Sequence, residues 1–391
     1  MQTILWNATV VLADRVITSG WVSIEHAYIT GYGSLPVPPD YGTATLVDCA
    51  GGFIIPGIID LHCDAIEKMV QPRPGVMVDT AIGLQVTDRL LVSAGVTCEF
   101  HSLSLDDAEF GVRNDDFVRD FITHIAASRA TTVRHLVHAR VEISSVRGTE
   151  SLATIIDDPA VRLVSIMDHS PGQGQYATDE AFRYYVAKTT GRNDAEIDQI
   201  IAHKQAQRTF IADRIDYVVA ACQQRGIPIA THDDDTAAKI AEWNRLGIQI
   251  SEFPTTFEAA TAAHASGMHV GMGAPNVLRG KSSSGNLSAL DAIKAGVVDW
   301  LCADYYPAAL LPAAFSIATA GVLTLPQAIA LITANPAKAV GMDAQLGSID
   351  VGMLADVCVV RYEGHAPIVE QVYVNGRVVY TVSPANVTFA H

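Results

Sequence analysis

The sequence predicts an α/β protein: a (β/α)8 barrel joined to a small β-sandwich assembled from the two chain ends. Three observations carry this prediction. Between Phe53 and about Gly341, short apolar runs alternate eight times with longer helical stretches, the pattern of βα units. Both ends instead alternate apolar and polar residues between frequent turn signals, the pattern of antiparallel strands. The 391 residues are 49% hydrophobic and 17% charged, which suits a sheet buried on both faces and excludes a mainly disordered chain.

Residues 3 to 50 break at Ser19-Gly20, Gly31 to Gly33 and Pro36 to Gly42, so several short strands are expected there. The eight barrel runs are Phe53 to Leu61, Val96 to Phe100, Val133 to Val141, Val161 to Met167, Ile227 to Ala230, Ile248 to Ile250, His269 to Met272 and Val297 to Cys302. A polar helical insertion, roughly 175–224, separates runs four and five. Asn193 with Glu196 reads as a capping box inside it, and Gly226 as its stop. Thr255 with Glu258 is expected to cap the helix after run six. Ala308 to Leu325 is apolar but broken by Pro312, Ser316, Thr319 and Gly321, so it reads as a buried helix and turn rather than a membrane span. At the end, Asp356 to Arg361 and Val372 to Val382 are β-branched, the second divided by the hairpin dipeptide Asn375-Gly376. The expected units are 1–52 and 343–391 for the β-domain and 53–342 for the barrel.

With 26 Lys+Arg against 42 Asp+Glu the net charge is −16, which argues against nucleic acid or an anionic membrane as partner. Asn7, Asp14 and Arg15 interrupt the apolar N-terminus, which therefore reads as a strand and not a secretory leader. Six scattered cysteines without a C-x-x-C pair read as reduced core thiols, and a cytoplasmic location is expected. The sequence leaves a homo-oligomer open.

Active sites of such barrels lie at the C-terminal strand ends. Run one ends in His62-Cys63-Asp64, run three in Glu142, run four in Asp168-His169, run five in His232-Asp233, run six in Glu252 and run eight in Asp304. Imidazoles and carboxylates converging from separate strands are what a divalent metal requires. Structural hydrogen-bonding roles are expected for His101, His124, His135, His138, His203, His264 and His269, with His101 the first exception to consider. Asp234 and Asp235 read as helix-capping acids. Gly172 to Ala177 matches G-x-G-x-x-A but lacks the βαβ context of a dinucleotide site. Arg279-Gly-Lys-Ser282 is not a P-loop, because Pro275 stands where its first glycine belongs. That loop still offers backbone amides and two cations to a phosphate after strand seven.

The segment GGFIIPGIIDLHCD resembles the first strand of the amidohydrolase superfamily, and TANPAKAVGM, LGSIDVGMLADVCVV and VYVNGRVV resemble its return into the small β-domain. More narrowly, SIMDHSPGQ, THDD, EFPTTFEAA, MGAPNVLRG, ADYYPAALL and QPRP are similar to a diphosphatase family of the C-P lyase pathway for phosphonate use. The resemblance covers nearly the whole chain. It implies hydrolysis of α-D-ribose 1-methylphosphonate 5-triphosphate to the 5-phosphate and pyrophosphate. It also implies His62, Asp64, Glu142, His169, His232 and Asp304 as ligands of one or two divalent metals, Zn first and Mn or Fe next. Asp64 replaces the second histidine of the commonest His-x-His motif, and no lysine stands at a strand end to bridge two metals.

In this reading Asp304 also orients the attacking water and takes its proton. Arg73, Arg279, Lys281 and Ser282 receive the leaving group, and Gln173 and Asn276 the sugar or methylphosphonate oxygens. Tyr184, Tyr185 and Lys188 in the insertion are candidates for a lid. The alternatives are a hydrolase of C-N bonds (a deacetylase, cyclic amidase or deaminase) and a non-catalytic barrel scaffold.

Overall fold

The computed structural model describes residues 2–37, 44–73, 75–106, 112–170, 178–282, 285–364 and 366–382. The N-terminal strands are β1 (Gln2–Val11), β2 (Val16–Glu25), β3 (Tyr28–Ser34), β4 (Thr45–Asp48) and β5 (Phe53–Pro56). The barrel strands follow as β6 (Ile58–Cys63), β7 (Val96–Leu105), β8 (Arg134–Glu142), β9 (Val161–Met167), β10 (Ile229–His232), β11 (Ile250–Glu252), β12 (His269–Gly273) and β13 (Trp300–Cys302). The chain ends on β14 (Val357–Tyr362), β15 (Pro367–Val374) and β16 (Arg377–Thr381).

Each expected barrel run overlaps one parallel strand of the barrel, with β10 and β11 lying two residues further along than expected, and the strands lie side by side in chain order. The ring closes where Asp304 N–H donates to the His62 carbonyl and Asp64 N–H to the Asp304 carbonyl, both at 2.8 Å. Ile59, Leu61, Phe100, Leu163, Ala230, Ile250 and Trp300 fill the interior beneath the site. Gly271 makes room for this layer, since a Cβ there would lie 2.2 Å from the Trp300 ring.

The first apolar run divides at Gly57. Phe53–Pro56 pairs with β1 and β14, while Ile58–Cys63 opens the barrel. A Cβ on Gly57 would lie 2.3 Å from Thr97 Oγ1, so the crossing between the two sheets needs glycine. The terminal sheet runs β16-β15-β14-β5-β1-β2-β3, with β4 beside β1, and its inner residues include Leu5, Val22, Ile54, Val357 and Tyr373. Asn375 and Gly376 turn the last hairpin with φ of 50° and 71°. Arg134 at the start of β8 pairs with Asp356 and Asn375, fastening the barrel to this sheet.

The insertion forms helices Asp179–Thr190, Asp194–Gln207 and Ile211–Gln223. The Asn193–Glu196 capping box is present, and Phe182, Val186, Ile197 and Ile201 form a small core between the first two helices. Two expectations about caps fail. Thr256, not Thr255, caps the helix after β11, accepting from Ala259 N–H at 3.1 Å, while Glu258 accepts from Ala237 N–H. Asp234 is buried and caps nothing; it accepts from Thr231, from Ser251 Oγ at 2.7 Å and from Trp243 Nε1 at 2.9 Å, tying β10 to β11 and the next helix. All six cysteines are buried and free. Among the described residues, no helix is long and apolar enough to cross a membrane.

Candidate active site

A cleft of about 460 Å³ opens at the C-terminal strand ends. His62, Asp64, His169, His232 and Asp304 all line it, so five of the six residues expected as ligands meet there. At its base lies Glu252, fully buried, with Oε2 3.3 Å from His62 Nδ1 and 3.7 Å from both His138 Nε2 and His232 Nδ1. Ligand atoms of His62, His232 and Glu252 form one group close enough to share an ion, and His169, His232 and Asp233 form a second.

The donor set fits a divalent metal. Glu252 Oε1, His138 Nε2, His232 Nδ1, Asp233 Oδ2 and Asp64 Oδ1 are buried without hydrogen-bond partners. Such atoms are costly to leave bare. Burial, reinforced by the nearby Arg140 charge, pushes His62 and His232 well below the usual imidazole range and His138 to about 3, which leaves neutral rings with lone pairs to offer. Burial also raises Glu252, takes Asp233 up to about 6, and together with Asp64 takes Asp304 up to about 7. Asp233, Phe253 and Asp304 hold φ of 57°, 52° and 59° and all line the cleft. Left-handed backbone at non-glycine residues is costly, and three such residues around one cavity mark a site that the surrounding fold over-determines.

Glu142, the sixth residue expected as a ligand, lies behind His169. It does not line the cleft. Its oxygens accept from Ser144 N–H and Oγ, from His169 N–H at 3.2 Å and from His169 Nδ1 at 3.0 Å. Lys204, reaching in from the insertion, donates to Ser144 Oγ at 3.0 Å. Burial alone would raise the Glu142 carboxyl, but Lys204, His169 and Ser144 hold it down at about 2. Glu142 thus holds both the ring and the backbone N–H of His169.

The expected substrate contacts divide. Asn276, Arg279 and Ser282 line the cleft; Arg73 and Lys281 do not, and both are exposed. Asn276 spends its amide on the rim, donating to the Leu287 carbonyl at 3.0 Å and accepting from Ala289 N–H at 3.1 Å. Gln173 lies outside the described residues, as does the Gly172 to Ala177 motif. The insertion meets the cleft through Phe182 and Lys204, whereas Tyr184 is 68% exposed.

Sequence reasoning passed over Arg140, Arg113 and Lys204, and it noted Glu252 without giving it a role. Arg140 had a signal: in the strand VHARVE, His138, Arg140 and Glu142 share one face by the period of two. His101 turns outward, its Nε2 2.8 Å from His135 Nδ1, whose Nε2 lies 3.0 Å from Asp88; that buried chain is structural.

A model of the amidohydrolase family matches residues 53–379. The chain is 34% identical to the α-D-ribose 1-methylphosphonate 5-triphosphate diphosphatase of Escherichia coli (strain K12), over 96% of this chain and 100% of that one. Among solved structures, it resembles N-acetylglucosamine-6-phosphate deacetylase from Pasteurella multocida, with a TM-score of 0.64, 12% identity and coverage of 97% and 99%. Dihydropyrimidinase from Brevibacillus agri matches with a TM-score of 0.64, 14% identity and coverage of 97% and 95%. These two likenesses concern the fold alone. The family model and the full-length relative agree with the barrel and its companion β-domain: the chain is a hydrolase of the amidohydrolase family.

Proposed function

We propose that the protein cleaves α-D-ribose 1-methylphosphonate 5-triphosphate between its α and β phosphates, giving the 5-phosphate and pyrophosphate. The observation that carries this reading is the relative of that activity, matched at 34% identity along its entire length. A cleft lined by Arg113, Arg140, Lys204 and Arg279 suits a polyanion.

Divalent metals are general in this family. His62, Asp64, His169, His232 and Asp304 would hold one or two of them here, with Glu252 added from the base of the cleft and Zn the first choice for mixed imidazole and carboxylate donors. When bound, such an ion supplies a more acidic water and offsets charge on the phosphoryl oxygens. The other roles belong to the chain. Asp304, at the end of the last barrel strand and lining the cleft, is the group that orients the attacking water and takes its proton. Glu142 keeps His169 oriented, and Arg279 and Ser282 at the rim face the departing pyrophosphate. Asn276 shapes that rim through its loop contacts. The free buried thiols suit a cytoplasmic enzyme.

The test is metal-reconstituted protein offered the triphosphate and a panel of amides, with pyrophosphate and ammonia both monitored. Pyrophosphate release that stops on chelation and in Asp304→Asn, while the circular dichroism of the variant is unchanged, supports the reading. Full activity in the metal-free or substituted protein would defeat it.

A further inference from the structure

We infer that Arg140 is an anionic-substrate anchor inside the cleft, donating its guanidinium to phosphoryl oxygens and selecting polyphosphate esters over neutral substrates. This rests on the diphosphatase reading. Arg140 stands on the inward face of β8, is 5% exposed and lines the cleft. Its only described polar contact is with His232, Nη2 to Nε2 at 3.4 Å, and its Nε is buried with no hydrogen-bond partner. It makes no ion pair with a described carboxylate.

Arg113, lining the same cleft, shows the contrast. Its Nε donates to both Glu67 oxygens at 3.0 and 3.1 Å, and its Nη2 lies 3.5 Å from Asp64. A guanidinium has five donors in a fixed plane, and donors buried without acceptors are costly even where carboxylates such as Asp233, Glu252 and Asp304 balance the charge from further off. The fold bears that cost at a position where the planar fork can meet two oxygens of a phosphoryl group side by side. Hydrolysis of a neutral amide or cyclic imide has no use for such a group at the base of its cleft, so Arg140 is also the residue that would set substrate class.

The experiment compares wild type, Arg140→Met and Arg140→Lys, each metal-loaded. It measures binding of inorganic pyrophosphate by calorimetry, KM and kcat for the triphosphate, and metal content by elemental analysis. A lost charge-assisted bidentate contact should weaken pyrophosphate binding and raise KM by about 30-fold in Arg140→Met. Arg140→Lys should recover part of the affinity, and added guanidinium ion should restore Arg140→Met partially, with metal content the same in all three. Unchanged pyrophosphate affinity, or loss of metal in both variants, overturns the inference. Wild-type turnover is read separately: a wild type that releases no pyrophosphate defeats the diphosphatase reading, whereas the ratio of variant to wild-type affinity judges Arg140 alone.

Discussion

Replacing Lys204 by Met removes a buried cation that the insertion sends to the neighbourhood of Glu142. The Glu142 carboxyl is fully buried yet sits at about 2 instead of its ordinary 4.5, with Lys204 the largest influence opposing burial. At roughly 1.4 kcal/mol per tenfold change in proton affinity, that displacement is worth on the order of 3 kcal/mol. Because the folded value is depressed, the contribution is fully present above pH 4.5 and is lost as pH falls from 4.5 toward 2. Breaking a buried pair from either side costs about 3 to 5 kcal/mol, so Lys204→Met and Glu142→Gln should each destabilise by that amount. The double variant should fall short of the sum by about 2 to 3 kcal/mol, because each single change already removes the interaction. Urea unfolding followed by tryptophan fluorescence measures the cycle, and acid unfolding of Lys204→Met should begin at higher pH than in wild type. Additivity within about 0.5 kcal/mol would refute the coupling.

Two further outcomes are expected. Glu252→Gln, which removes the carboxylate shared by His62, His138 and His232, should lower bound metal at least tenfold by elemental analysis while the fold persists; unchanged stoichiometry and affinity would exclude Glu252 from the centre. Asp234→Ala leaves Ser251, Thr231 and Trp243 without their buried acceptor, so a loss of about 3 kcal/mol is expected in urea unfolding; a loss below about 1 kcal/mol would mean these donors find other partners.

The barrel was legible because each strand is an apolar run bounded by polar helix, and a period that short needs no tertiary knowledge. The division at Gly57 was not, because Phe53 to Leu61 is equally apolar in both sheets and only the contact with Thr97 separates them. Strand ends gave His62, Asp64, His169, His232 and Asp304 for a similar reason: the barrel converts position along a strand into convergence in space. Glu142 occupies such an end but turns to Ser144 and His169, a choice fixed by a lysine 62 positions later (204 − 142) in an inserted helix. Arg73 and Lys281 were chosen for charge within loops, and loop geometry alone decides whether such side chains face the cleft. Arg140 is the reverse case, a charge inside a buried barrel strand that alternation places on the inward face with His138 and Glu142.

The net charge of −16 makes the cations around the cleft an exception on an acidic chain, which is why a polyanionic substrate is the sharpest question to put to it. The most direct measurement is phosphorus NMR of the metal-loaded protein with α-D-ribose 1-methylphosphonate 5-triphosphate in water enriched in oxygen-18. The account predicts pyrophosphate and the 5-phosphate in equal amounts from the start of the reaction, each molecule cleaved incorporating one labelled oxygen. Release of orthophosphate as the first product, or an unchanged triphosphate beside ammonia from an amide of the panel, would contradict it.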